Sequence, residues 1–282
     1  MIDLSILKEL EKFDLVIKRK ITSKYSGDRK SNFLGRGTVM SDHRIYSPGD
    51  DFRSIDWKIF ARTDDLYVKR YDEDRSLVVN AVVDSSKSMD YGAKTRKFDY
   101  AALLGIGFCY LAMKNNEKFR IATFGDDLTL FPTSLKGSQL GSMVDHLDGL
   151  QLSGSSNFEG SMVRYRRTIG SRSFIVIISD FLFDVKEFRN GIMQFPQHDV
   201  HLIQVLDPSE VHLDLEGDFF LRDMESGDQL RTSVTPRLKS HYQDRLQEHI
   251  HLLQDTAKEL KARFWTVTTD KPIFDVFWDV LR

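Results

Sequence analysis

Three short runs limit what this chain can become. Residues 77–83, 174–178 and 200–206 are rich in β-branched side chains, and the first two are almost continuously apolar. A strand wetted on one face alternates polar with apolar, whereas one that is apolar throughout is covered on both faces. Between these runs lie helical patterns. Residues 97–114 are apolar on nearly all sides, as in a helix packed deep against a sheet, and 185–193 read as a further helix. Residues 119–124 alternate, and 128–131, after Gly125-Asp126-Asp127, read as their hairpin partner. Residues 219–221 and 229–232 flank Glu225-Ser226-Gly227-Asp228 as a surface hairpin. Thr235 is a good N-cap and Pro236 suits the first helical position. Leu238, Tyr242, Leu246, Ile250, Leu253, Ala257 and Leu260 then step by three or four along one face of a long helix. Residues 264–268 give a last strand. Pro272 opens a closing helix with Ile273, Phe274, Phe277 and Leu281 turned inward. Strands alternating with helices predict an α/β fold, a mostly parallel sheet covered on both faces.

Composition narrows the functional classes. The chain has 282 residues, enough to bury a substantial core without covalent staples. Lys plus Arg number 40 and Asp plus Glu 42, a balance that gives no global pull toward a polyanion. A single cysteine, Cys109, excludes an internal disulfide framework and a cysteine zinc site. The longest mainly apolar run, residues 101–113, is too short to span a bilayer, and residues 1–4 do not open a signal peptide. The expectation is a soluble, cytoplasmic protein with a charged, turn-rich segment at 1–75 packed on an α/β domain at 76–282. The basic run at 17–36 reads as a solvated face. As a nucleic-acid surface it would lack interleaved stacking aromatics apart from Tyr25 and Phe33.

In parallel sheets, ligands bind outside the carboxyl ends of the strands. The first buried strand ends in Asp84-Ser85-Ser86-Lys87-Ser88, the spacing D-x-S-x-S. Residues two apart in an extended loop project to one side, so Asp84, Ser86 and Ser88 converge. The strand at 174–178 ends in Ser179-Asp180, which brings a second carboxylate to the same edge. The loop Gly154-Ser155-Ser156-Asn157-Phe158 offers further hydroxyls. Two carboxylates with several hydroxyls, and no clustered His or Cys, form a hard-oxygen set suited to Mg²⁺ or Mn²⁺. An ion there with an open position attracts a carboxylate from another molecule. The plainer alternatives are a polar turn capping the next helix for Asp84 to Ser88, and a helix-capping hydroxyl for Ser156.

These residues resemble the metal-ion-dependent adhesion site of von Willebrand factor A-type domains. The stretch Arg44-Ile45-Tyr46-Ser47-Pro48-Gly49-Asp50-Asp51-Phe52-Arg53-Ser54-Ile55-Asp56-Trp57 is similar to the hallmark of the bacterial domain-of-unknown-function-58 family. The similarity continues through Ala61-Arg62-Thr63 and Leu66-Tyr67-Val68, with Gly27 and Ser31 upstream. The resemblance implies a von Willebrand factor A-like (Rossmann-like) sheet with one antiparallel edge strand, flanked by helices and preceded by an N-terminal extension. It implies that Ser86 and Ser88 ligate the metal directly, while Asp84 and Asp180 act through water or orient the loops. Ser156 stands where the family usually has threonine, Ser155 and Asn157 where glycine and aspartate are commoner, and Thr38-Val39 where an acidic-aromatic pair is usual. It further implies a non-enzymatic adaptor that grips an acidic residue of a partner, a MoxR-type AAA+ ATPase or its client.

A metal-dependent phosphoester hydrolase is the alternative, with Asp84 and Asp180 on the metal and the Arg-rich segment on phosphate. No general base stands beside those ligands in the sequence. The segment from Arg44 to Arg62 reads as a structural clamp of Arg–carboxylate pairs around a buried Trp57, rather than as a second functional surface. His198 and His201 read as surface or strand-edge residues, and His249 and His251 point to different helix faces.

Overall fold

A computed structural model of the chain describes residues 39–72, 78–92, 94–170, 172–213, 217–222, 224 and 229–281. The basic run at 17–36, Gly27, Ser31, Thr38 and the turn at 225–228 lie outside them. The chain divides into two compact units, one drawn from residues 21–76 and one from residue 77 onward.

In the first unit, β1 (Val39–Ile45) pairs antiparallel with β2 (Tyr67–Asp72), and α1 (Trp57–Thr63) lies between them in sequence. Its acids serve backbone amides. Asp50 accepts from Ser47 N at 2.9 Å across the Pro48-Gly49 turn, where Gly49 has φ +109°, a conformation that favours glycine. Asp51 accepts from Arg53 N, and Asp56 caps α1 through Lys58 N and Ile59 N. Asp56 also meets His43 Nε2 at 3.0 Å, and Ile55 bridges Val68, both buried. The buried Trp57 expected in this segment is corrected. The indole is 58% exposed and packs edge-on to Phe60, because helix capping by Asp56 turns the next side chain outward.

The second unit runs β3 (Val78–Asp84), α2 (Lys97–Lys114), β4 (Lys118–Phe124), β5 (Leu128–Leu130), α3 (Gly137–Asp148), α4 (Phe158–Arg166), β6 (Phe174–Ser179), α5 (Val185–Ile192), β7 (Asp199–Leu206), α6 (Pro208–Val211), β8 (Gly217–Arg222), β9 (Gln229–Val234), α7 (Pro236–Glu259), β10 (Arg263–Thr268) and α8 (Ile273–Leu281). Six strands form one sheet in the order β10-β7-β6-β3-β4-β5. Every neighbour pair is parallel except β4 with β5. This is the expected architecture, with the antiparallel edge at 128–130. β8 and β9 form the separate antiparallel hairpin.

β6 is buried from end to end, and β3 and β7 are buried at every residue after the first, as their composition requires. On one face, Phe158, Met162 and Tyr165 of α4, Phe188 and Ile192 of α5, and Leu253 and Ala257 of α7 pack on Val82, Ile175, Ile177 and Leu202. On the other, α2 presses so closely that a Cβ at Gly105 would lie 3.1 Å from Val83 Cγ2. Asn80, buried in the central strand, is satisfied by donating to Val78 O and Phe174 O and accepting from Tyr165 OH. His201 departs from the surface expectation. It is 2% exposed, set between the rings of Phe174 and Trp265, with Nε2 on Asp199. In the closing helix, Val276 and Val280 are buried with Ile273 and Phe277, whereas Phe274 and Leu281 are half-buried. Cys109 is buried inside α2. Among the described residues no helix is long and apolar enough to cross a membrane.

The α4–α5 contact positions the loop that carries Ser156. A Cβ at Gly191 of α5 would fall 2.4 Å from Phe158 Cε1, and Phe158 is fully buried among Phe124, Phe181, Phe183 and Phe188. The ring has nowhere to retreat. Gly191→Ala is therefore expected to destabilise the protein by about 1–3 kcal/mol, read as a lower urea midpoint. An unchanged midpoint would show that α4 and α5 are not in this contact.

Candidate functional site

The carboxyl ends of β3, β6 and β7 lie side by side, and each delivers polar groups to the same edge. Asp84, the last residue of β3, is fully buried. Its Oδ1 accepts from Ser86 N at 2.8 Å and its Oδ2 from Ser179 Oγ at 2.6 Å. Ser179 ends β6, so this bond ties the two strand ends together. Beyond Asp84 the chain does not stay extended. It turns into a 3₁₀ segment, Lys87–Asp90, with Ser86 as its N-cap residue making no side-chain cap bond. The turn brings Ser86 Oγ and Ser88 Oγ within 3.1 Å of each other. A tight turn, not an extended loop, brings these two hydroxyls together, and Ser86 Oγ is not spent on capping the helix.

The Ser156 loop is stitched to this one. Lys87 N donates to Gly154 O at 3.1 Å and Asn157 N to Gly125 O at 3.1 Å, while Ser155 N donates to Asp126 Oδ1. Gly154 has φ +76°, a conformation that strains other residues, and a Cβ there would also force the Asp126 carboxylate aside. The capping role considered for Ser156 falls to its neighbour, since Asn157 Oδ1 accepts from Gly160 N. Ser156 Oγ is buried with no hydrogen-bond partner. A buried hydroxyl left unpaired is unusual, and among the described residues Ser161 Oγ in α4 is the other one.

Asp180 follows β6 and is 2% exposed. Its Oδ2 accepts from Lys97 Nζ at 2.9 Å, and the same ammonium donates to Glu210 Oε1 at 2.7 Å. Lys97 is itself only 1% exposed. Glu210 is held by Asp207 N on its other oxygen, inside a capping box at the start of α6. Neither Lys97 nor Glu210 was among the residues singled out from the sequence. A lysine opening an otherwise apolar helix was the available signal, because a cation at a helix N-terminus opposes the dipole and needs a carboxylate. Asp207-Pro208-Ser209-Glu210, read as a capping box after the third buried strand, was the other.

Burial, with the neighbouring Asp180 charge second, pushes the Asp84 carboxyl up to about 7, against hydrogen bonds from Ser179 and Ser86 that pull it down. Burial also raises Glu210, opposed by Lys97. Among the described residues no three His, Cys, Asp or Glu side chains are placed to hold a metal by themselves, so any ion here would rely on the hydroxyls. The residues present fit that demand: hydroxyls facing each other in one turn, an unpartnered hydroxyl in the loop bonded to it, and two buried carboxylates. All are hard oxygens.

The raised Asp84 carboxyl has a consequence in chelator. Below about pH 4 folded and unfolded chains both hold this proton, and the folded state loses nothing. As pH rises toward 7 the unfolded chain ionises first, so stability falls and the full cost is present above pH 7. The urea midpoint in chelator is expected to drop between pH 5 and pH 8, and Asp84→Asn to flatten that drop. An equal slope in both proteins would contradict the assignment.

The chain is 29% identical over 287 residues to an uncharacterized protein, Mb1516, of Mycobacterium bovis, covering 99% of this chain and 89% of that one. Among solved structures it is similar to the conserved hypothetical protein BatB from Bacteroides thetaiotaomicron, with TM-score 0.45 and 15% identity over 68% of this chain and 90% of that one. It is also similar to the SpRpn10 VWA domain, with TM-score 0.43 and 10% identity over 72% of this chain and 94% of that one. Residues 42–251 match the model described as "Protein of unknown function DUF58", and the chain belongs to that family.

Proposed function

We propose that this protein is a non-enzymatic interaction module. In this reading Ser86, Ser88 and Ser156 contact a Mg²⁺-type ion (Mg²⁺ or Mn²⁺), with Asp84 and Asp180 holding the loops or reaching the ion through water. A bound ion would supply an open coordination position for a partner's carboxylate. The observation that carries the reading is the buried, unpartnered Ser156 Oγ in a loop bonded to the turn that pairs Ser86 with Ser88.

The surroundings favour an acidic ligand only when a cation is present. An open cleft of about 820 Å³ beside Ser156 is lined by Asn157, Glu159, Asp184, Lys186 and Glu187, among others. Acids outnumber bases on that wall, so a partner's carboxylate approaching without a cation meets like charge. Glu187 is not free to swing away, because its Oε1 accepts from Phe158 N and Glu159 N. Partner capture should therefore be metal-dependent. The family resemblance points to a MoxR-type AAA+ ATPase, or a protein it remodels, as that partner, in a cytoplasmic setting.

The test is capture of the MoxR-type ATPase from the same source on immobilised protein, in Mg²⁺ and in chelator. Wild type is expected to retain it in Mg²⁺ alone and Asp84→Ala in neither buffer. Retention indifferent to chelator and mutation would overturn the reading, as would turnover of generic phosphoesters that Asp84→Ala abolishes.

A further inference from the structure

The Lys97 ammonium sits where a metal site has least use for a positive charge. It is buried, bonded to Asp180 at 2.9 Å, and Asp180 is the carboxylate that acts on Asp84 across the same edge. A buried cation is retained only if its partners repay its desolvation, and Lys97 has two, Asp180 and Glu210. The position is enforced from several sides. Lys97 N donates to Tyr91 O at 2.8 Å, and the ammonium lies 5.9 Å from the centre of the Tyr91 ring. Tyr91 OH in turn meets Ser209 Oγ beside Glu210. Asp180 is fixed as well, since its backbone carbonyl accepts from Gln204 Nε2 and the next residue, Phe181, has its carbonyl on His249 Nε2. Neither end of the Lys97–Asp180 pair moves away easily.

From this geometry we propose that Lys97 is a tethered cation that sets the metal affinity of the site. It holds Asp180 in place when no ion is bound and competes with a bound ion for that carboxylate. Glu210 decides how much of the ammonium's charge Asp180 feels. The proposal rests on the metal-site reading above. With all three carboxylates ionised, Asp84, Asp180 and Glu210 against Lys97 leave a formal charge that one divalent ion would cancel. The lysine therefore weakens ion binding without excluding it. It also leaves the site assembled when the ion departs, so the ion is exchangeable and its loss does not unfold the edge.

Binding of Mn²⁺ to the full chain, followed by the electron paramagnetic resonance signal of the free ion, separates the possibilities. Lys97→Met is expected to bind Mn²⁺ about tenfold more tightly than wild type or better, since a contact cation has been removed from a buried site. Glu210→Gln is expected to bind several-fold more weakly, because the site loses a negative charge and Lys97 turns wholly to Asp180. The double variant Lys97→Met/Glu210→Gln keeps the wild-type formal charge and leaves no unpaired Glu210. It is expected to bind more tightly than wild type, and it decides the matter if the single lysine variant does not fold.

If Mn²⁺ binding depends on Asp84 but both lysine variants match wild type, the Lys97 proposal fails and the metal site stands. If no protein binds Mn²⁺, or Asp84→Ala binds it like wild type, the metal-site reading fails and this proposal with it.

Discussion

Carboxylates buried at the carboxyl edge of a parallel sheet have to be compensated, and much of this structure is the means of doing so. Asp84 and Asp180 cannot both sit dry and ionised beside each other without help. The help comes from two strand ends and a helix start: Ser179 from β6 donates to Asp84, Lys97 from the start of α2 donates to Asp180, and Glu210 after β7 steadies the lysine. Each of those groups is then held by the backbone around it. The 3₁₀ turn after β3, the capping box at α6 and the backward hydrogen bond from His249 to Phe181 O hold the backbone beside these groups. Phe181 itself has φ +49°, a costly conformation for a side-chain-bearing residue, next to the carboxylate it helps to position.

Much of the fold was legible in the sequence because the central strands carry their own signature. Nearly continuous apolar runs at 77–83 and 174–178 left few alternatives to a covered parallel sheet, and strands β3, β4, β6, β7 and β10 lie within a residue or two of the expected positions. Thr235 caps the long helix through Leu238 N, as its place before Pro236 implies. What was not legible lacked periodicity. α3 is built from Gly137, Ser138, Gly141 and Ser142 among its apolar residues, weak helix formers that dilute the pattern. β1, β2 and α1 lie in a segment whose charges cap local amides, so charge spacing there encoded turns and not a face.

The site divides in the same way. Asp84, Ser86, Ser88 and Asp180 were legible because strand order alone brings the ends of β3 and β6 together. The loop of Ser156 was legible as a source of hydroxyls and the resemblance singled out that serine within it; the loop is placed by two backbone hydrogen bonds and the glycine at 154. Lys97 and Glu210 escaped notice because their partners lie far away in sequence: Lys97 opens a helix against the dipole with its two carboxylates on other elements, and Glu210 has a sufficient local role in a capping box. Their joint role exists only after folding brings β3, β6 and β7 into register.

The central claim is that these oxygens form one cation site. Anomalous diffraction from crystals of the full chain soaked in Mn²⁺ tests it most directly. The expected peak lies about 2.1 Å from Ser86 Oγ and Ser88 Oγ, with Ser156 Oγ turned toward it and Lys97 still on Asp180 or displaced toward Glu210. A Mn²⁺ peak elsewhere, with Ser86 and Ser88 bonded only to each other, would contradict it.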